Sequence, residues 1–461
     1  MAAIVPPAID AAPAQLPDRS NRVTFPGLAE EFTLWQQTSS PQIVAVAANV
    51  YANAQDAYSS ATVALASANF KGNYSSLVGA LAVPASAYYS SRFWMLVSNV
   101  ADVTLAVPGV SASWVQIPVT ANPNIIHNGD FRIFQRGTSI AGVVSSTFTA
   151  DRFSITAASS AAVFTASQST DVPSASSSLN SLRHTVTTAD ASIATGKVCA
   201  IRSAVEGSDA RALVGQAFTL SFWFRSAVTG VHCVAFKNSV ADRSYVAEFT
   251  VSAANTWEKK SITVSAGLIT AGTWDWTTGV GLVITWCLCS GSTFQTTANA
   301  WQTGNYLATS NQVNAVGTIS NIIGLADVKL ELGSVATPLI PRPYGDELDL
   351  CRRYLPAFLA TATGQPVCGG RATSSTAARG ILQFNVPARI APTGVTPSGA
   401  SHFAATDSSD AAVASTAVSF ISASPTSAKI GITTASGLTA GPSNIETNNS
   451  AASLLFTGAE L

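Results

Sequence analysis

Charge is what this sequence has least of. Asp, Glu, Lys and Arg make up 11% of its 461 residues, under half the roughly 25% of an ordinary soluble domain. Lys and Arg number 24 against 25 Asp and Glu. No cationic surplus exists to neutralise a nucleic-acid backbone or hold an anionic lipid surface, so neither is expected as a partner. Long apolar runs are missing too. A membrane span needs about 20 apolar residues, and the best candidate, Val280 to Cys289, is interrupted by Gly281 and Thr285; membrane insertion is not expected. No Lys or Arg precedes Arg19, and Pro6 and Pro7 break the short apolar start. A signal peptide is therefore not expected, and synthesis in the cytoplasm is.

Clustered metal-binding and catalytic groups are also lacking. The cysteines (Cys199, Cys233, Cys287, Cys289, Cys351, Cys368) show no CxxC spacing. Cys287 and Cys289, two apart on a strand, should point the same way, which does not make a metal knuckle. All six read as buried free thiols of a reducing compartment. His127, His184, His232 and His402 lie far apart, and His232 reads as a satisfied strand histidine. No nucleophile elbow, P-loop or dinucleotide fingerprint occurs. Glycosidases need two carboxylates at a set separation; acids are sparse here, and each has a ready reading as a turn, cap or strand-exterior group. No cofactor, metal site or catalytic residue is expected.

What is present is 47% hydrophobic sequence rich in Ala, Ser, Thr and Gly, which is not a disordered composition. At roughly 150 residues per domain the chain holds about three units. Residues 1–41 are punctuated by Pro6, Pro7, Pro13, Pro17, Pro26 and Pro41 around a short apolar segment at Phe32, Leu34 and Trp35; they read as an extended segment that docks. Residues 42–69 read as a helix, with Ile43, Ala47, Val50, Ala54, Ala57 and Ala61, then Ala64 and Ala68, alternating at spacings of 4 and 3. That is a heptad seam. Two readings are open: a seam shared between identical chains, or one helix packed on its own globule. Residues 70–120 carry short β-prone pieces with Tyr74, Tyr88, Tyr89, Phe93, Trp94 and Trp114, a small β module that leans on neighbours or copies of itself.

Residues 121–345 form the largest unit. Phe218, Leu220, Phe222 and Phe224 line one face of a strand, with Thr219, Ser221, Trp223 and Arg225 on the other. Tyr245, Ala247, Phe249 and Val251 alternate with Val246, Glu248 and Thr250, and Val328, Leu330 and Leu332 repeat the pattern. Many short strands and little helical periodicity predict an antiparallel sandwich or jelly roll. Residues 346–360 hold a short helical connector, with Leu348 and Cys351 on one face and Leu355 one turn on. Residues 361–461 predict a last β-sandwich, with strands at Gly380 to Val386, Val418 to Ile421 and Lys429 to Thr433.

The run from Asn124 to Gly137, NIIHNGDFRIFQRG, followed by Thr149 to Phe153, TADRF, resembles the opening of a module common in phage tail fibres and related virion proteins. The later landmarks LSFWFR from Leu220, NTWEKK from Asn255, TSNQVN from Thr309, LELGSVATP from Leu330 and RPYG from Arg342 follow in order. The piece from Asn69 through Trp114 is similar to small modules found in front of such units, and the last hundred residues match only loosely. The resemblance implies a jelly roll like that of carbohydrate-binding modules, carried in a homotrimeric fibre attached to tail or baseplate proteins by its N-terminus, with a host-surface glycan or protein as receptor. Such modules often hold a structural calcium through a carboxylate after the Asn-Gly-x-Phe motif and an Asp before the final strand. Here Asp327 stands at the second place but Arg132 at the first, so calcium is not expected. Asn128 and Asp130 then read as turn residues, with an Arg132–Asp327 ion pair as the other reading.

Sugar recognition uses aromatic faces beside hydrogen-bonding groups. Trp274 and Trp276 flank Asp275 in a turn-bounded segment and form a weak candidate ligand site; covering a sheet edge or a subunit contact is the other reading. The expected function is a receptor-binding tail-fibre protein of the virion, not an enzyme, with residues 361–461 as the host-contacting tip. A fibre-borne glycan depolymerase and a non-binding spacer are the alternatives.

Overall fold

The computed structural model describes residues 27–35, 39, 42, 69–89, 92–116, 123–407, 409 and 411–461. The seam residues Ile43, Ala47, Val50, Ala54, Ala57 and Ala61 lie outside them. Residues 27–35 are helical where an extended segment was expected. Between Pro26 and Pro41 the sequence GLAEEFTLW offers Ala, Leu and Glu without proline, and local helix propensity prevails there. The chain divides into two compact units, residues 1–120 and 121–461.

In the first unit four short strands, Phe70–Asn73, Ala85–Tyr89, Arg92–Leu96 and Trp114–Gln116, form one sheet in that order. Its core gathers Tyr74, Ala85, Ala87, Leu96, Val103 and Trp114. Two aromatic polar ends are satisfied by backbone: Tyr74 Oη donates to Val103 O at 2.7 Å and Trp114 Nε1 to Ala106 O at 2.6 Å.

The second unit opens with two six-stranded antiparallel sheets packed face to face. The first runs Glu258–Val264, Phe218–Ser226, Ile322–Leu332, Ser181–Thr188, Val163–Ser169, Ser139–Val143. The second runs Trp301–Thr303, Arg243–Val251, Gly230–Lys237, Val280–Ser290, Val198–Glu206, Phe153–Ala158. Period-two alternation places Phe218, Leu220, Phe222 and Phe224 in the shared core with Tyr245, Ala247, Phe249 and Trp286. Cys287 and Cys289 do not point the same way. A register shift falls between them, and the bulge's extra residue sends Cys289 into the main core while Cys287 joins a cluster on the outer face with Cys233, Leu307 and Ala308. Among the described residues the cysteines are all free thiols.

The opening motif, the TADRF piece and the last strand meet in one knot. Asn128, fully buried with φ 57°, donates from Nδ2 to Ile133 O at 2.8 Å and Asp151 O at 3.0 Å and accepts from Ile133 N at 3.0 Å. Its backbone N–H donates to Glu347 on the helix Tyr344–Arg352. Gly129 has no room for a side chain: a Cβ there would sit 2.0 Å from Val328 O. Nearby, Asn124 Nδ2 donates to Val328 O at 2.9 Å, and Ile125 N to Leu330 O at 2.9 Å, so the first residues of the module tie to its last strand. The expected turn residues are thus a tightly bonded hub.

After the helix, the last hundred residues are all β, as expected, but their layers close on themselves. Six strands, Pro366–Ser374, Ala377–Gln383, Ser427–Thr434, Ala412–Ser424, Phe403–Thr406 and Gly441–Thr447, form a barrel in that order beside a three-stranded sheet. The long Ala412–Ser424 strand carries two register shifts against its partner; bulges bend a strand and let a sheet close where a flat run would have stacked. This part is also bonded to the sandwich. Arg389 donates to Thr278 O at 2.7 Å, Ala459 O at 2.8 Å and Glu460 O at 3.0 Å, and Arg202 on the second sheet donates to Leu461 O at 2.7 Å.

Candidate functional site

The Trp274–Trp276 segment is built as a self-contained turn. The two indoles stack on each other, centroids 5.3 Å apart and 9° from parallel. Trp301 meets Trp274 edge-on at 5.8 Å, and Trp274 Nε1 donates to Ala271 O at 2.9 Å. Asp275 is spent locally, accepting from Thr277 N at 2.8 Å and Thr277 Oγ1 at 2.6 Å; these bonds hold its carboxyl below the ordinary value. Both rings pack against the sandwich core, and Arg389 clamps the neighbouring carbonyl. Each indole covers a face of the other, so the pair offers less stacking surface than two separate rings.

A different constellation lies on the outer face of the first sheet. At one end of that face the 333–339 segment closes over a buried Lys329–Glu331 pair, 3.1 Å apart, with Thr337 N donating to Glu331 at 2.7 Å and Lys329 to Pro338 O at 3.1 Å. The other end carries Trp223, Arg225, Arg183 and Trp257, all half-buried. Arg225 sits in register with Gly324 and Gly324 with Arg183. Trp223 lies between Lys259 and Ala326. The six-membered ring of Trp257 covers Gly324 so closely that a Cβ there would come within 2.7 Å of it. Asp171 links the set, accepting from Trp257 Nε1 at 3.1 Å and from Arg225. Arg183 Nε donates to Thr185 Oγ1 at 3.3 Å. Two indoles thus stand on a strand face among guanidinium, carboxylate and hydroxyl groups. The alternation that put Trp223 and Arg225 opposite the phenylalanines carried this signal; the adjacency of Trp257 and Asp171 needed the fold.

A cavity of about 720 Å³ lies among His127, Glu206, Asp209, Arg342, Arg353 and Tyr354. Its charges are mostly spent on each other. Glu206 accepts from Arg353 and Tyr354 Oη; burial alone would raise its carboxyl, but these donors hold it below the ordinary value. Arg342 pairs with Glu347 at 2.9 Å. Burial pushes the His127 imidazole down to about 3, leaving it neutral at ordinary pH. His184 is fully buried and neutral in the same way, and His232 stacks on Phe249 and bonds Val228 O at 3.0 Å.

The Arg132–Asp327 ion pair, the other reading of these residues, does not form. Asp327 sits at a bulge with φ 47°, which turns its carboxylate to Ser176 Oγ at 2.9 Å, Ser177 N at 3.1 Å and Ser178 Oγ. Arg132 takes Asp130 instead, at 2.5 Å, and donates to Arg342 O. Among the described residues no group of three or more His, Cys, Asp or Glu is gathered to hold a metal ion.

No protein-family model and no curated protein sequence matches the chain. Solved structures similar to part of it include a putative sugar binding protein from Bacteroides thetaiotaomicron, at 10% identity and TM-score 0.27 over 46% of this chain and 100% of that one. A family 11 carbohydrate-binding module of a Clostridium thermocellum cellulase is similar at 12% identity and TM-score 0.24, over 43% of this chain and 97% of that one. The enzymatically active domain of bacteriophage CBA120 tailspike protein 4 is similar at 14% identity and TM-score 0.25 over 46% of this chain; the match spans 21% of that longer protein.

Proposed function

We propose that this chain is a receptor-binding structural protein of a phage tail, a homotrimeric fibre component docked through its N-terminal segment, and that it binds host-surface glycan on the outer face of the first sheet. The observation that carries this reading is the pairing of Trp223 and Trp257 with Arg225, Arg183 and Asp171 on that face. Indoles supply apolar surface for a sugar ring, and charged donors and acceptors beside them fix its hydroxyls. The tail assignment rests on the resembling motifs from Asn124 to Gly345. The chain acts as a binder and not as an enzyme, and three linked copies raise avidity without any new contact.

The test is titration of the purified protein with host envelope glycans, scoring saturable binding and new reducing ends together. Binding without cleavage that falls at least about tenfold in Trp257→Ala, with an unchanged melting temperature, is the expected result. New reducing ends would make it a depolymerase, and absence of both signals a spacer.

A further inference from the structure

The barrel carries a second feature that the sheet-face site does not use. Arg371 and Arg379 stand directly opposite each other on neighbouring antiparallel strands. On the next strand Lys429 pairs with Ile381, and Arg379 pairs with Gly431. Three cations on three adjacent strands thus surround one isoleucine. Strands lie about 4.8 Å apart, so the charges spread over about 10 Å. They rim a groove of about 330 Å³ whose floor is glycine backbone at Gly369, Gly370 and Gly380. Arg371 and Arg379 are exposed and Lys429 half-buried. Among the described residues none of the three has an acid partner. The six barrel strands hold a single carboxylate, Glu446, which lies across from Pro366, at the start of the strand that carries Arg371.

Like charges directly opposed on a ladder destabilise a sheet, and a chain this poor in charge has many neutral residues for an exposed strand position. We propose that the groove binds an acidic polysaccharide, its carboxylate or phosphate groups seated between Arg371, Arg379 and Lys429. Guanidinium groups hold both anions through paired N–H donors, and Gly369, exposed and with room where a side chain would stand, lets a chain of sugars lie close. A polymer engages all three cations where a single anion engages one. The site stands apart from the Trp223–Trp257 face and shares with that reading only the class of ligand.

The experiment measures binding of the full chain, by surface plasmon resonance, to immobilised polygalacturonate, a glycerol-phosphate polymer and neutral dextran. Three variants are run beside it: Arg371→Gln with Arg379→Gln and Lys429→Gln combined, Arg379→Gln alone, and Trp257→Ala. The expected result is binding to one or both acidic polymers and none to dextran, lost by at least about tenfold in the triple variant and weakened by added salt. The two acidic arms tell carboxylate from phosphate. Arg379→Gln should raise the melting temperature, since it relieves the Arg371 repulsion, and this shows that the variants fold. Trp257→Ala should keep acidic-polymer binding, so failure of the sheet-face reading and failure of this one are read separately. Unchanged binding by the triple variant, equal binding to dextran, or no binding to either acidic polymer overturns the proposal. A change in assembled mass in the triple variant would overturn it too, by making the groove a contact between copies.

Discussion

Arg353 holds Glu206 with two donors, Nε at 3.0 Å and Nη2 at 2.7 Å, and so fastens the residue after the helix to the end of a core strand. Tyr354 Oη adds a third bond at 2.7 Å, and the guanidinium of Arg152 lies over the Tyr354 ring, 3.5 Å from its centroid. Glu206→Ala leaves Arg353 and the buried tyrosine hydroxyl without an acceptor. It should lower unfolding free energy by about 3 kcal/mol, read from denaturant melts. Because the folded carboxyl titrates below its ordinary 4.5, this contribution is complete above that pH and fades as pH falls through the lower folded value. A variant as stable as the parent at pH 7 would remove the clasp from the account.

Gly129→Ala should be far worse than an ordinary surface change. Its Cβ would meet the carbonyl oxygen of Val328 at 2.0 Å, and backbone cannot step aside as a side-chain tip can. A loss above about 3 kcal/mol, or failure to recover soluble protein, is expected. Normal yield and melting would show that the hub has slack.

Gly324→Ala tests the proposed glycan face from beneath. The new methyl would push the far end of Trp257 outward, a movable group, so stability should change by less than about 1 kcal/mol while glycan affinity falls. Unchanged affinity with a displaced indole, read by tryptophan fluorescence, would dissociate Trp257 from binding.

His184 gives a pH signature. Burial drives its imidazole down to about 3 from 6.5, so below pH 6.5 the unfolded chain takes up a proton that the folded one refuses, and stability falls with acidification. At pH 5 this amounts to about 2 kcal/mol. Asp151, raised to about 6 by burial, works the other way and returns about 1 kcal/mol between pH 7 and 5. His184→Leu should therefore lose less stability over that interval than the parent, by about 2 kcal/mol. Parallel pH profiles would contradict the assignment.

If the seam from Ile43 to Ala68 joins identical chains, Ala54→Asp with Ala61→Asp puts like charges at a crowded axis and should disfavour association. Light scattering reads the result directly; an unchanged mass removes the seam as the source of assembly.

The main strands were legible because burial on one face writes period two into the sequence, as Phe218 to Phe224 show. The reversal at Cys287 and Cys289 was not, since a bulge is a backbone event that leaves both side chains compatible with either face. The same holds for Asp327, whose positive φ aims it at serines instead of Arg132. Spacing brought Trp274 and Trp276 together but gave no hint that they would cover each other. The Trp223–Trp257 face was half visible as the polar side of a core strand; its other half depends on long-range contacts to Gly324 and Asp171, which no local pattern encodes.

The ties between Asn124 and Val328, and between Asn128 and Glu347, bring the start and finish of the sandwich to one edge. A segment whose two ends meet at one edge can leave and enter a chain as a block. A different sandwich that reproduces Asn124, Asn128, Arg342 and Glu347 at its ends would join the chain in the same way, and the barrel's joint would stay intact only if Arg202, Glu206 and the Thr278 carbonyl were reproduced as well.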